Sequence, residues 1–482
     1  MEDSLAEHQS EDSNNMQNEL DPIEAEAERS LRRLLAPGIK LILVKGIPGA
    51  GKTSLATRLL EYVGSGTYIS SRVGLEKLSE QNPHLKRMEH EGKFDHLSLE
   101  LERVSYEDMR LGFADDVIKK VLESISRKKE LIILDSWDTM AKEMEKVERL
   151  KNEKIIASVI DTSDSRCVFI SEEPELTSTD YLVDAIVTLD YVEMQGRRLR
   201  QITWEKVRGQ PVPYKRQLYT LQDGRFTTIG AVSLWRGEKR RFEPVPHGRN
   251  YFSTGSRDLD EFFGGGLHRG QFVLLEVGMA AGNNWHIPMY QMIAANFILN
   301  GGTCVVVPPP HITPQMVLDY ESPLIGEELV KSRMRVMSYL KLESNHHHPS
   351  LVDLSGKTAE EAYDIQMRAA MDLKANNPNN ATAWFLSMDT YEAFGGTNKS
   401  TNASLLAHGT AALRQYGDVN FMLAKASTSS LQPLSDNCDI HLKLEAVDRS
   451  LIMLSKRPPT AAYAVNYDYR RGYPQVLLKR II

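Results

Sequence analysis

Nine consecutive residues constrain this chain more than any others: Gly46-Ile47-Pro48-Gly49-Ala50-Gly51-Lys52-Thr53-Ser54. They follow, after Lys45, on the mainly apolar run Ile39 to Val44 and lead into the apolar-periodic stretch Leu55 to Leu60. A short continuous apolar run reads as a buried strand and the periodic stretch as a helix, so the segment predicts strand, loop, helix. This is G-x4-G-K-T in the structural context that gives the pattern meaning. Glycines let backbone N–H groups close around phosphate oxygens where a Cβ would intrude. The helix N-terminus adds the positive end of its dipole. The expected phosphate-binding set is therefore Gly46, Pro48, Gly49, Ala50, Gly51, Lys52, Thr53 and Ser54. Lys52 is expected to reach the β- and γ-phosphates, and the Thr53 hydroxyl to ligate Mg²⁺.

A nucleotide site of this kind also needs a carboxylate at the end of a neighbouring strand to hold the Mg²⁺ shell. Leu131-Ile132-Ile133-Leu134-Asp135 supplies one after the polar break Arg127-Lys128-Lys129. Asp135 directly follows the apolar run and is preferred over its competitor, Asp138. No Asn-Lys-x-Asp segment of the guanine-reading type occurs, so ATP is preferred over GTP.

The remaining composition sets the frame. At about 100–200 residues per domain, 482 residues predict two to four domains. Apolar residues at 41% and charged residues at 26% suit a globular protein with ample core and exclude a fibrous or wholly disordered chain. No apolar run approaches the ~20 residues that cross a bilayer, and no basic-then-apolar leader is visible. Cys167, Cys304 and Cys438 have neither metal nor disulfide spacing and read as core residues in a reducing compartment. The expectation is a cytoplasmic protein without a membrane. Residues 1–28 carry ten of the 65 acids and none of the 58 Lys and Arg. A solvated acidic tail over 1–22 is expected. Ile23, Ala27, Leu31, Leu34 and Leu35 then form one apolar helix face, ended by Pro37-Gly38.

The chain also repeats itself. Ser253-Thr254-Gly255, Leu259-Asp260 and Gly264-Gly265-Gly266-Leu267 precede a strand, Gln271 to Val277. This approach resembles the KaiC/RadA-like branch of the RecA superfamily, and residues 23–46 are a worn version of it. The resemblance covers about 23–232 and 249–482. It implies an α/β protein of two tandem RecA-like P-loop NTPase domains, each a mostly parallel sheet flanked by helices. The expected organisation is tail 1–22, first domain 23–232, basic linker 233–248 and degenerate second domain 249–482. In the second loop, Gly278-Met279-Ala280-Ala281-Gly282-Asn283-Asn284-Trp285, Asn284 stands at the lysine position and Trp285 at the hydroxyl position. An amide brings no charge to phosphate and an indole cannot ligate Mg²⁺. A scaffold domain is preferred over an unusual nucleotide site, although an acidic strand end survives in Met388-Asp389.

In KaiC-like ATPases a glutamate pair ends the strand after the P-loop helix and activates water. Here Arg72-Val73 and Pro308-Pro309 occupy those places. Glu76 lies too far along to inherit the role, and Glu172-Glu173 follow a different strand. Tight Mg-ATP binding with weak turnover is expected. Ile202 to Gly209 resembles the family's Lys-x-Arg-Gly strand, which implies Lys206 and Arg208 as fingers reaching a neighbour's γ-phosphate in a homo-oligomer. Leu454-Ser455-Lys456-Arg457-Pro458 is the weaker second copy.

Between the copies, Arg236, Lys239, Arg240, Arg241 and Arg249, with Arg197, Arg198 and Arg200 nearby in sequence, offer a surface for nucleic acid or an acidic partner. A linker docked on its own domains is preferred, and no sequence-reading nucleic-acid motif occurs. His346-His347-His348 reads as loop rather than metal site. One intact copy followed by a degenerate one is similar to the archaeal gas-vesicle regulatory protein D (GvpD) family. That resemblance implies an ATP-controlled regulator acting through a protein partner. A RadA-like DNA-repair ATPase and a KaiC-like autokinase stand as alternatives.

Overall fold

The computed structural model describes residues 21–70, 74–98, 108–142, 144–233, 237–282, 284–341, 348–377, 381–394 and 399–482. They divide into two compact units. The first runs to Gly230 and takes in Arg480–Ile482; the second spans Ala231–Lys479.

The first unit opens with the helix Pro22–Arg32. Asp21 caps it by accepting from the Ile23 and Glu24 amides at 2.8 and 2.9 Å, which satisfies N–H groups that the helix itself cannot. Nine strands follow: β1 (Leu41–Gly46), β2 (Gly66–Ser70), β3 (Phe94–Ser98), β4 (Leu131–Asp135), β5 (Arg166–Ser171), β6 (Ala185–Met194), β7 (Arg197–Val207), β8 (Arg216–Thr220) and β9 (Thr227–Ile229). Their order in the sheet is β3-β2-β4-β5-β1-β6-β7-β8-β9. The pairs from β3 to β6 are parallel, and β6 to β9 form an antiparallel end. Strand β1 is apolar from Leu41 to Val44 because both its faces are covered. Ile42 and Val44 pack with Leu55 and Leu59 of the helix Lys52–Val63, while Leu41 and Leu43 pack on the opposite face with Val117 and Ile156. The strand begins later than the apolar run because the Ile39 amide is spent on a turn, donating to Ala36 O at 3.0 Å.

The second unit has β10 (Tyr251–Phe252) and β11 (Leu267–His268) as a small hairpin. Its main strands are β12 (Phe272–Val277), β13 (Thr303–Val307), β14 (Met334–Ser338), β15 (Leu351–Asp353), β16 (Thr382–Ser387), β17 (Val419–Lys425), β18 (Ile440–Val447), β19 (Ser450–Arg457), β20 (Tyr463–Asp468) and β21 (Gln475–Arg480). The order is β15-β14-β13-β16-β17-β12-β18-β19-β20-β21. With β12 set on β1 and β13 on β2, this is the first sheet's order with one added edge strand, β15. The protein is thus α/β, built from two tandem RecA-like domains.

The sequence signature ahead of β12 has a local cause. The Asp260 carboxylate accepts from Ser253 Oγ at 2.6 Å, from the Thr254 amide at 2.7 Å and from Thr254 Oγ1 at 2.6 Å, closing the Ser-Thr-Gly turn. Trp235 and Arg236 lie outside the described residues. The basic segment from Gly237 packs on the second unit: Phe242 is buried, its amide donates to Leu324 O at 2.9 Å, and Arg241 donates to Ile325 O at 2.9 Å. All three cysteines are free and buried.

One buried charge cluster anchors β12 just before its loop. The Glu276 carboxylate lies 2.6 Å from Lys456 Nζ, 2.9 Å from His441 Nε2 and 3.4 Å from Lys443 Nζ. Burial opposes its charge, but the hydrogen bonds from His441 and Lys456 and the nearby ammonium groups outweigh that and hold Glu276 at about 2. Losing one partner of a buried ionic cluster costs about 3–5 kcal/mol. Glu276→Gln is therefore expected to lower the unfolding free energy of the second unit by an amount of that order. Because the folded carboxylate titrates below its unfolded value of about 4.3, the advantage of wild type is full above that pH. It is lost as pH falls toward about 2, which urea titrations of both proteins across that window check.

Candidate phosphate-binding site

The loop after β1 is shaped by what its backbone must avoid. Gly46 has φ 154° and lies beside Leu189 of β6, so that a Cβ would overlap the Leu189 carbonyl oxygen. Gly51, with φ 91°, caps the helix Lys52–Val63 in a left-handed conformation against Leu221, which disfavours any side chain there. The loop carbonyls are bonded in turn. Lys52 Nζ, only 7% exposed, donates to Gly46 O at 2.7 Å and Ile47 O at 3.1 Å. Gly49 O accepts from Tyr191 OH at 2.9 Å and from Arg200 at 3.0 Å, and Ala50 O accepts from Tyr219 OH. Pro48 and Ser54 lie within the same loop and first helical turn.

Strands β1 and β4 bring the second part of the site to the helix start. Thr53 Oγ1 donates to Asp135 Oδ2 at 2.7 Å, and Tyr68 OH of β2 donates to the same oxygen. Burial and the Asp135 charge push the Tyr68 phenol well above its usual range, so it stays a donor. Two hydroxyls and a carboxylate give the hard oxygen donors that suit Mg²⁺. Asp138 is committed elsewhere: it accepts from the Glu172 and Glu173 amides at 2.6 and 3.3 Å and pairs with Arg149 at 3.2 Å.

Glu172 enters in a way its position in sequence conceals. Strand β5 lies between β4 and β1, so the carboxylate just past its end comes within 3.9 Å of Lys52 Nζ. Arg72 and Val73 lie outside the described residues. Tyr191, Tyr219 and Arg200 were likewise invisible as loop partners, because their contacts span 142 to 169 residues. The Arg197-Arg198-Arg200 cluster was the only signal, and grouping it with the basic linker concealed the role of Arg200.

Lys206 and Arg208 lie at the other end of the sheet. Lys206 Nζ donates to Val183 O at 2.6 Å, and Arg208 pairs with Asp184 at 2.8 Å. The Asp184 amide in turn donates to Leu41 O at the start of β1, about 16 Å of strand from Gly46. They do not meet Lys52 within this unit.

The second loop departs from the first in shape and charge. Met279–Ala281 form a short 3-10 turn, and Met279 is 88% exposed. Trp285 packs against the second unit's core, with its carbonyl accepting from Tyr467 OH. The Glu445 carboxylate packs directly against Gly278 and pairs with Lys443 at 3.4 Å. Lys456, the counterpart of the finger lysine, is spent on Glu276. Asp389 accepts from Thr428 Oγ1 at 2.8 Å and faces Lys425 at 3.7 Å. Asn283, His346 and His347 lie outside the described residues, and His348 pairs with Glu327 at 2.8 Å. Among the described residues no group of three or more His, Cys, Asp or Glu forms a metal cluster, and no helix is long and apolar enough to cross a membrane.

Fold and loop together define a RecA-like P-loop protein. Residues 36–205 match the family described as GvpD gas vesicle protein, P-loop domain. Over 94% of its length the chain is 25% identical to Protein GvpD2 of Halobacterium salinarum, covering 96% of that protein. It is 27% identical to Protein GvpD1 of the same organism over 57% of the chain and 55% of that protein. The first unit is thus similar to the GvpD P-loop domain, and a P-loop domain implies nucleotide binding.

The contacts on Gly49 O yield a direct test. Each hydrogen bond is worth about 0.5–1.5 kcal/mol. An Arg200→Ala/Tyr191→Phe double variant is therefore expected to weaken nucleotide binding at least about fivefold, with its circular dichroism spectrum unchanged, as read by calorimetric titration.

Proposed function

We propose that this protein is an ATP-binding regulator of the gas-vesicle kind, a nucleotide-dependent switch acting on a protein partner from the cytoplasm. Its first unit holds Mg-ATP and hydrolyses it slowly; its second unit is a pseudo-ATPase. The observation that carries this reading is the contrast between the two loops. One has Lys52, and Thr53 beside Asp135. The other has Asn284, Trp285 and a Glu445 carboxylate against its first glycine. A carboxylate there opposes a phosphate by like charge, whereas the first loop's lysine compensates it.

In this reading Gly46 to Ser54 cradle the phosphates, Lys52 turns from the loop carbonyls onto the β- and γ-oxygens, and Thr53 and Asp135 hold Mg²⁺. The bound metal supplies charge compensation on the transferred phosphoryl group. Lys206 and Arg208 serve a neighbouring copy in a homo-oligomer, a role supported by their distance from their own loop. Arg241 and Phe242 are engaged with the second unit, which favours a protein partner over nucleic acid. Three free buried thiols accord with a reducing compartment.

Calorimetric titration of ATP with Mg²⁺ is expected to give one binding event per chain. Lys52→Ala should weaken it about 100-fold, in line with loss of a charge-assisted contact, and Asn284→Lys should leave a single event. Two events in wild type would overturn the asymmetric assignment. A Lys206→Ala/Arg208→Ala variant is expected to keep ATP affinity and lose ATP-dependent association measured by light scattering; unchanged association would reject the finger role.

A further inference from the structure

The second unit holds a cavity of about 180 Å³ at the N-terminal ends of its strands. Gly302 and Ala381, just ahead of β13 and β16, line it together with residues at and beside the hairpin β10–β11. At about 30 Å³ for each water of the liquid, the room is that of about six waters. Two cations line it: Arg249, two residues before β10 begins, and Arg269, directly after β11. The hairpin pairs Tyr251 with His268, so its next position sets Arg269 opposite Asn250, beside Arg249. Both arginines are exposed, and among the described residues neither pairs with a carboxylate. No Asp or Glu lines the cavity. The Arg269 guanidinium is held 4.8 Å from the centre of the Phe252 ring, a cation–π contact that fixes its position. Tyr251, 40% exposed, borders the cavity. Gly248 leaves space for that ring, which a Cβ would meet at 2.6 Å.

A third group is set as a donor. His247, also in the lining, accepts from the Ser253 amide at 3.1 Å through Nδ1, which in the neutral ring puts the proton on Nε2. Burial lowers the His247 pKa and the Arg269 charge adds to it, against the pull of Asp260. Asp260 itself is spent on Ser253 and Thr254. Against an anion stands the C-terminal end of the helix Ile287–Leu299, whose dipole is worth about two- to fivefold in binding. Its carbonyls are engaged at Asn296, Phe297 and Ile298, which accept from the Asn300, Gly302 and Gly301 amides. One hydrogen bond to a charged group is worth about tenfold or more, so two guanidinium forks outweigh that dipole. A carboxylate fills one fork; a phosphate, with three acceptor oxygens and nearly two charges, fills both. We propose that this cavity binds a phosphate group, free or as the monoester of a small molecule, through Arg249, Arg269 and His247. The site is separate from the second loop, since Gly278 follows the far end of β12, about 20 Å of strand away. Drug-sized pockets span about 300–1,000 Å³, so the room here suits a phosphate group rather than a whole nucleotide.

Phosphorus NMR titration of inorganic phosphate into the full chain carrying Lys52→Ala tests this, since that substitution removes the first unit's loop as a competing site. Its circular dichroism spectrum, matched to wild type, shows that it is folded. At ionic strength held constant with sodium chloride, a dissociation constant of about 1 mM is expected, too weak to add an event to a micromolar ATP titration. In the same background Arg249→Ala should weaken phosphate about tenfold or more. Arg269→Lys should weaken it about threefold or more, because lysine keeps the charge and loses the fork. Arg249 makes no hydrogen bond or ion pair among the described residues, which keeps the test valid if an Arg269 variant does not fold. Acetate should bind about tenfold more weakly than phosphate. Phenyl phosphate binding more tightly than phosphate would assign the site to a monoester resting on Tyr251, and equal or weaker binding would assign it to free phosphate; both support the proposal. Absence of phosphate binding to the folded Lys52→Ala chain, binding unaffected by Arg249→Ala, or acetate binding as well as phosphate would each overturn it. ATP titration of wild type reads the first unit's loop, so failure here is distinct from failure of the ATP assignment.

Discussion

A phosphate-binding loop must dispose of its own oxygens before it can welcome those of a ligand. Peptide carbonyls carry partial negative charge, and a loop that left them pointing at an anion would repel it. In the first unit Tyr191 and Arg200 hold the Gly49 carbonyl and Tyr219 that of Ala50, while Lys52 holds those of Gly46 and Ile47 until a ligand draws it away. Three of those donors come from the antiparallel end of the sheet, on β6, β7 and β8. The antiparallel strands therefore act as a brace behind the loop, and the left-handed glycine at position 51 lets the helix start where the brace requires.

The same architecture carries different chemistry in the second unit. Its strand order repeats the first, with one strand added at the edge, yet the polar investment has moved. Glu276, the cations around it and Glu445 occupy the ground near the loop. An α/β sheet tolerates this because its stability rests on apolar strands covered on both faces. The strand ends are free to change.

Much of this was legible from residues adjacent in sequence. The run before Gly46, the Leu131-to-Asp135 strand and the Ser-Thr-Gly approach to β12 each carry a local pattern with a local cause. The tandem arrangement followed from finding that pattern twice. What escaped notice was long-range. Tyr191 and Tyr219 are ordinary strand tyrosines until the sheet sets them beside the loop. Glu172 was set aside because it follows another strand, and only the order β4-β5-β1 brings it near Lys52.

The three buried thiols give the molecule an internal reporter. Cys167 sits on β5 in the first unit, and Cys304 and Cys438 in the second. Burial raises each thiol above its ordinary range, so alkylating reagents reach little thiolate while either half stays shut. Modification at one site or the other would then time the opening of its own domain, which lets the two halves be followed separately in a single unaltered chain.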